Sequence, residues 1–159
     1  MIFKDILKLA GSIIICQLAG FIGSLFTTPA IRTWYKTLTK PAFTPPNFIF
    51  SPVWITLFLL MGISLFLVWQ KKHKDREVKI ALLFFTAQLI LNTFWSILFF
   101  GLKSPLWAFI EIVILWLAIL VTIIKFFKVS KPAGYLLLPY ILWVSFAAFL
   151  NFSLWRLNA

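Results

Sequence analysis

Five stretches of the chain are apolar and long enough to cross a lipid bilayer, and they leave little else. They fall at about residues 6–28, 46–69, 79–100, 105–125 and 133–155, each 21 to 24 residues long. A helix rising ~1.5 Å per residue needs roughly 20 residues to cross the ~30 Å hydrocarbon core. No water reaches the backbone there, so every N–H and C=O must be paired within helices or a closed barrel. The runs are continuously apolar rather than alternating in ten-residue units, which selects helices. The chain is predicted to be an all-α integral membrane protein, one domain spanning 1–159 as a five-helix transmembrane bundle.

Composition agrees. Hydrophobic residues make up 62% and charged residues 12% of the chain, too few charges to coat a soluble domain of this size. The connections are about 17, 9, 4 and 7 residues, which leaves no room for a domain outside the membrane. Lys4 and Lys8 precede the first run as in a signal peptide, but that run is about twice a typical h-region and lacks a small-residue cleavage pattern. It is read as a retained span.

The net charge of +11 is distributed as a membrane topology rather than as a nucleic-acid patch. Lys4, Lys8, Lys71, Lys72, Lys74, Arg76, Lys79, Lys125, Lys128 and Lys131 fall on one side. Arg32, Lys36, Lys40, Lys103 and Arg156 fall on the other. Positive loops stay inside, so the expectation is a multi-pass cell-membrane protein with a cytoplasmic N-terminus and an outer C-terminus. The basic loops would meet anionic lipid, and no nucleic-acid partner is expected. Cys16 and His73 are the single cysteine and histidine, so a disulfide within the chain is excluded and no metal site is expected.

Punctuation residues set the predicted helix ends. Pro46, Pro105 after Ser104, and Pro132 fit opening turns, and Gly101 fits the position just past a helix end. Pro52 and Pro139 fall inside helices. Pro139 frees the carbonyl of Tyr135, which predicts a bend just before Trp143. Cys16, Gly20 and Ser24, with Gly23 adjacent, form a small-residue stripe suited to packing inside the bundle or to a dimer seam, the former being preferred. The chain has no internal repeat, and Glu111 is the one acidic residue well inside a predicted span, both of which disfavour ion-coupled transport.

Aromatic residues are 19% of the chain, with eight tryptophans. Trp69, Trp107 and Trp155 lie near predicted helix ends, as interfacial anchors do. Trp54, Trp95, Trp116 and Trp143 do not. Counting ~1.5 Å per residue from the outer ends puts Trp54, Asn92 and Ala147 near ~12 Å, Glu111 near ~9 Å, Trp95 near ~8 Å and Trp143 near ~18 Å. These groups come from four helices and share one slab. Gln88, Asn92 and Trp95 share a stripe, as do Trp107 and Glu111, and Trp143, Ala147 and Leu150. Polar groups at such depth should face inward, either bonding between helices or lining a cavity. The cavity reading gives Trp and Phe walls, a few polar groups and room beside Ala147, which suits a flat, mostly apolar ligand. The connection 29–45 lies over it as a proline-stiffened lid, with Arg32, Lys36 and Lys40 available to ligand carboxylates or to lipid headgroups.

The stretch WYKTLTKPAFTPPNFIFSPVW (34–54) closely resembles the translocator protein family, also called tryptophan-rich sensory or TspO/MBR proteins. Gln88-Leu89, Leu91-Asn92, Trp95, Phe99-Phe100-Gly101, Trp107-Ala108 and PYILWVSFAAFLNFSLWR (139–156) extend the likeness over nearly the whole chain. The resemblance implies five helices around a pocket open toward the first loop, often in a homodimer. It implies binding of porphyrins such as protoporphyrin IX, of haem-related tetrapyrroles, and of isoquinoline carboxamide or benzodiazepine-type ligands. Carried over by position, the pocket residues are Tyr35, Trp54, Asn92, Trp95, Trp107, Trp143, Ala147 and Leu150. Trp54 and Trp143 match the tryptophans linked to light- and oxygen-dependent porphyrin degradation, so they are the catalytic candidates if such chemistry occurs. The animal members' cholesterol pattern needs a tyrosine where this chain has Phe152, which argues against sterol. No cofactor is expected beyond porphyrin as ligand or substrate. The leading expectation is a porphyrin-binding membrane receptor, followed by a photo-oxidative enzyme and then a tetrapyrrole or sterol transporter.

Overall fold

The computed structural model describes residues 2–71 and 75–159. Lys72, His73 and Lys74 lie outside the described residues. Among the described residues seven α-helices follow in order: α1 (Ile2–Arg32), α2 (Trp34–Thr37), α3 (Asn47–Trp69), α4 (Arg76–Ser96), α5 (Pro105–Val129), α6 (Lys131–Leu136) and α7 (Leu138–Asn158). A π-helical turn, Ile97–Gly101, extends α4, and α6 and α7 together make the last span. The five spans are long and apolar enough to cross a membrane, and the protein is a five-helix membrane bundle.

Helix ends shift from the sequence reading in ways local chemistry explains. α1 runs through Pro29 to Arg32, so the expected 17-residue connection shrinks and regains one helical turn at α2. Pro46 precedes α3 as its cap, with extended backbone, rather than sitting in the first turn. Asp75 caps α4 by accepting from the Glu77 amide, and Ser104 caps α5 by accepting from Trp107. Gly101 does not close the third span in a left-handed conformation. Lys103 does, at φ 53°, because the π-turn carries the helix through Gly101. The last span is interrupted at Leu137, two residues before Pro139, and not just before Trp143 as expected; Pro139 sits in the opening turn of α7, where its missing N–H costs nothing.

α1 packs along α3 and α4, α5 along α4 and α7, and α6 against α3. The predicted small-residue stripe of α1 points inward. Cys16 is buried, and a Cβ on Gly20 would stand 2.6 Å from the Phe58 ring. Cys16, Gly20 and Gly23 therefore serve packing within the bundle, while Ser24, half-buried, borders the hollow. Past the Leu137 break, α7 borders a hollow that opens between the helices in that half of the bundle. The connection after α2 is tied across its end by Asn158. Its side-chain oxygen accepts from the Thr39 amide at 2.8 Å, and its Nδ2 donates to the Thr39 carbonyl at 2.9 Å.

Candidate ligand-binding cavity

The hollow has a volume of about 610 Å³, within the usual range for small-molecule sites. Its back wall is α7, where Trp143, Ala147 and Leu150 recur at helical spacing on one face. Across from it, α3 contributes Phe50, Trp54 and Phe58. Trp54 stacks on Phe58 with centroids 5.6 Å apart and meets Tyr140 edge-on at 6.5 Å, while Phe50 meets Trp143 edge-on at 6.1 Å. The third wall is the end of α4 and its π-turn. Trp95 stacks on Phe99 at 5.2 Å, and Phe100 stands edge-on to both. The wide turn lets the adjacent residues Phe99 and Phe100 both reach the cavity, as π-turns at functional sites often do. Tyr35 of α2 roofs this corner against Phe99 and Phe100, only 4% exposed.

A polar thread holds the walls in place. The Tyr140 hydroxyl donates to Gln88 Oε1 and accepts from Asn92 Nδ2, each at 2.7 Å. Among the described residues Gln88 Nε2 has only the Met61 sulfur, at 4.0 Å. Trp95 Nε1 donates to Asn151 Oδ1 at 2.9 Å, and Asn151 Nδ2 donates to the Pro105 carbonyl at 2.8 Å. The stripe Gln88–Asn92–Trp95 thus bonds between helices and also lines the hollow through Asn92 and Trp95. The two readings left open by spacing hold together. Tyr140 and Asn151, which complete the thread, were not foreseen. An uncharged polar residue deep in a span was the available signal for Asn151.

Among the described residues, no charged side chain lines the cavity. Lys40, read as available to ligand carboxylates or to lipid headgroups, donates to the Leu38 carbonyl at 3.2 Å and sits 4.7 Å over the Tyr35 ring. Arg32 and Lys36 are exposed and outside the lining. Burial raises the Tyr35 hydroxyl above the ordinary tyrosine range, which keeps it a neutral donor at physiological pH.

Of the residues singled out by sequence, Tyr35, Trp54, Asn92, Trp95, Trp143, Ala147 and Leu150 line one hollow. Trp107 does not. It is 62% exposed, one turn into α5, and α5 lends no residue to the lining. Four residues on, Glu111 turns inward and is buried, but it lies outside the cavity with neither carboxyl oxygen bonded among the described residues. The ~40° offset between positions i and i+4 suffices at the edge of a helix face to send one outward and the other in. Leaving buried polar atoms unpaired costs roughly 1–3 kcal/mol. Glu111→Met, apolar and similar in length, is therefore expected to raise the thermal unfolding midpoint in detergent. A lowered midpoint would mean that Glu111 has a partner the fold needs.

Fold and hollow define the class: a five-span helical membrane protein with an uncharged, aromatic-walled cavity in one half of its bundle. The profile of the TspO/MBR family matches residues 12–156, and the chain belongs to that family. It is 46% identical to the tryptophan-rich protein TspO of Chlorobaculum tepidum over 98% of both chains. It is 34% identical to the translocator protein of Bos taurus, over 93% of this chain and 88% of the relative. The tryptophan-rich sensory protein of Cereibacter sphaeroides is 37% identical, over 79% and 77% respectively.

Proposed function

We propose that the protein is a membrane receptor for porphyrins and related flat ligands of the isoquinoline carboxamide and benzodiazepine type. The observation that carries this reading is the convergence of Trp54, Trp95 and Trp143 from three helices on one uncharged hollow. Such walls favour a planar ring by stacking and edge contacts, and Asn92 and Tyr35 supply polar anchors. With no charged lining residue, the propionates of a porphyrin would stay at the rim, toward Arg32 and Lys36. In this reading the N-terminus is cytoplasmic and the rim faces outward, following the basic loops. A homodimer belongs to the same reading. Since Cys16, Gly20 and Gly23 are occupied inside the bundle, its seam would use other residues.

A second reading is supported by the position of Trp54 and Trp143 on facing walls, where a ring between them would touch both. Light absorbed by bound porphyrin, with oxygen as oxidant, would then convert the ring to a product. One experiment separates the two. Protoporphyrin IX in the dark should quench the tryptophan fluorescence, and illumination in air should then either leave the absorbance unchanged or create a new band. Receptor function predicts quenching alone. Enzymatic function predicts a band that disappears in Trp54→Phe/Trp143→Phe while dark quenching survives. Absence of dark quenching in the parent protein would sink both.

A further inference from the structure

The cavity's exposed lining residues all lie on two helices. Phe21 and Thr28 of α1 and Asn47, Ser51 and Ile55 of α3 are exposed, whereas the lining of α4, its π-turn and α7 is buried or half-buried. The hollow is thus open sideways, at the α1–α3 seam, while Tyr35 roofs the corner beside Phe99 and Phe100. Lower down the same seam is shut. A Cβ on Gly62 would stand 2.6 Å from the Ile13 Cα, and one on Gly20 would stand 2.6 Å from the Phe58 ring. Gln17 Nε2 donates to the Ile55 carbonyl at 3.0 Å and ties the helices where the gap begins.

The gap is polar, although it faces lipid. Ser24 and Thr27 spend their hydroxyl protons on the Phe21 and Gly23 carbonyls, which leaves oxygen lone pairs toward the opening. Thr28, Asn47 and Ser51 have no side-chain hydrogen bonds among the described residues. At ~1.5 Å per residue Ser51 lies ~6 Å below the start of α3 and Ser24 ~12 Å below the end of α1, between headgroup and acyl depth. Polar side chains turned toward lipid are costly there, and this seam holds several together.

The geometry points to a lateral portal between α1 and α3, through which a membrane-dissolved amphiphile enters the cavity. Its apolar body passes Phe21 and Ile55, and its uncharged hydrogen-bonding group exchanges water for Ser24, Thr28, Asn47 and Ser51. This deepens the receptor reading by naming the phase that supplies the ligand, and it rests on that reading only for the ligand's identity. The test needs no porphyrin. In proteoliposomes of Cys16→Ser/Ala147→Cys protein, the new thiol on the far wall is exposed to an N-alkyl maleimide dissolved in the bilayer, or to a charged water-soluble methanethiosulfonate. With each rate divided by that reagent's rate on a small free thiol, the alkyl reagent should label faster. Ser51→Phe and Ser24→Phe, which plug the gap from opposite helices, should each slow it by at least about tenfold, a barrier of ~1.4 kcal/mol. The charged reagent should be unaffected by either plug. Alkyl labelling that is unchanged in both plugged variants, with unfolding midpoints like the parent's, overturns the portal. So does faster labelling by the charged reagent on that same normalised scale. Failure of porphyrin to bind would count against the receptor reading alone.

Discussion

Gly62→Ala should destabilise the bundle more than alanine at Gly20 or Gly11, with a visible drop in the unfolding midpoint. The added methyl would stand 2.6 Å from the Ile13 Cα and 3.1 Å from its nitrogen. Those are backbone atoms, which cannot rotate aside, so α1 must be pushed off α3. Overpacking of this kind costs about 1–3 kcal/mol, occasionally more. In lipid no hydrophobic force presses the helices back together, because acyl chains are as apolar as the surfaces exposed. At Gly20 the obstacle is the Phe58 ring, also 2.6 Å away, but a side chain can turn within its stack on Trp54. At Gly11 the nearest atom is Trp69 at 4.0 Å, ordinary contact, and alanine there gains up to about 1 kcal/mol of helix propensity. The expected stability order is Gly11→Ala at or above the parent, then Gly20→Ala, then Gly62→Ala. Thermal unfolding in one detergent reads it directly. A Gly62→Ala protein as stable as the parent would show that α1 and α3 do not meet this closely.

Tyr140→Phe should cost about 2 kcal/mol with no change of shape. The phenol oxygen is both the donor to Gln88 Oε1 and the acceptor from Asn92 Nδ2, and Tyr140 is only 1% exposed. Removing it strands two buried groups at once. Each costs roughly 1–3 kcal/mol by measurements on soluble proteins. Membrane bundles give less, near ~0.6 kcal/mol per bond, because the separated helices find other partners. Gln88 is itself only 1% exposed, and no other donor reaches its Oε1 among the described residues, so the lower figure should be exceeded. Adding Asn92→Leu removes one stranded donor and should recover part of the loss, so the two substitutions are non-additive. Strict additivity would mean that Asn92 and Tyr140 are not partners.

Fold class was legible because its signal is coarse. Twenty apolar residues in a row admit one solution in lipid, whatever their order. Boundaries were less legible. Pro29 looked like an end, yet α1 runs through it to Arg32. The π-turn left no mark, since Ile97–Gly101 would suit an α-helix equally well and only packing of Phe99 and Phe100 distinguishes them. Site residues were legible where two spacings agreed. Trp143, Ala147 and Leu150 repeat on one face, and Gln88, Asn92 and Trp95 on another, and both faces reached the hollow or its supports. Trp107 was carried by likeness and by a face shared with Glu111, and the edge of that face divides them. The lack of charge inside the cavity could not be read from order along the chain. Arg32, Lys36 and Lys40 are near the rim in sequence, and only the fold shows the Lys40 ammonium held over the Tyr35 ring and bonded to the Leu38 carbonyl.

The thread through Gln88, Asn92 and Trp95 also settles how α4 is clocked about its own axis. Leucine against leucine and leucine against an acyl chain are nearly equal in energy, so grease alone leaves a spanning helix free to spin. Three hydrogen-bonding groups on a single stripe, each matched by a group on α7, act as an index mark that admits one rotation. Turn α4 by one residue, about 100°, and all three bonds to α7 are lost together.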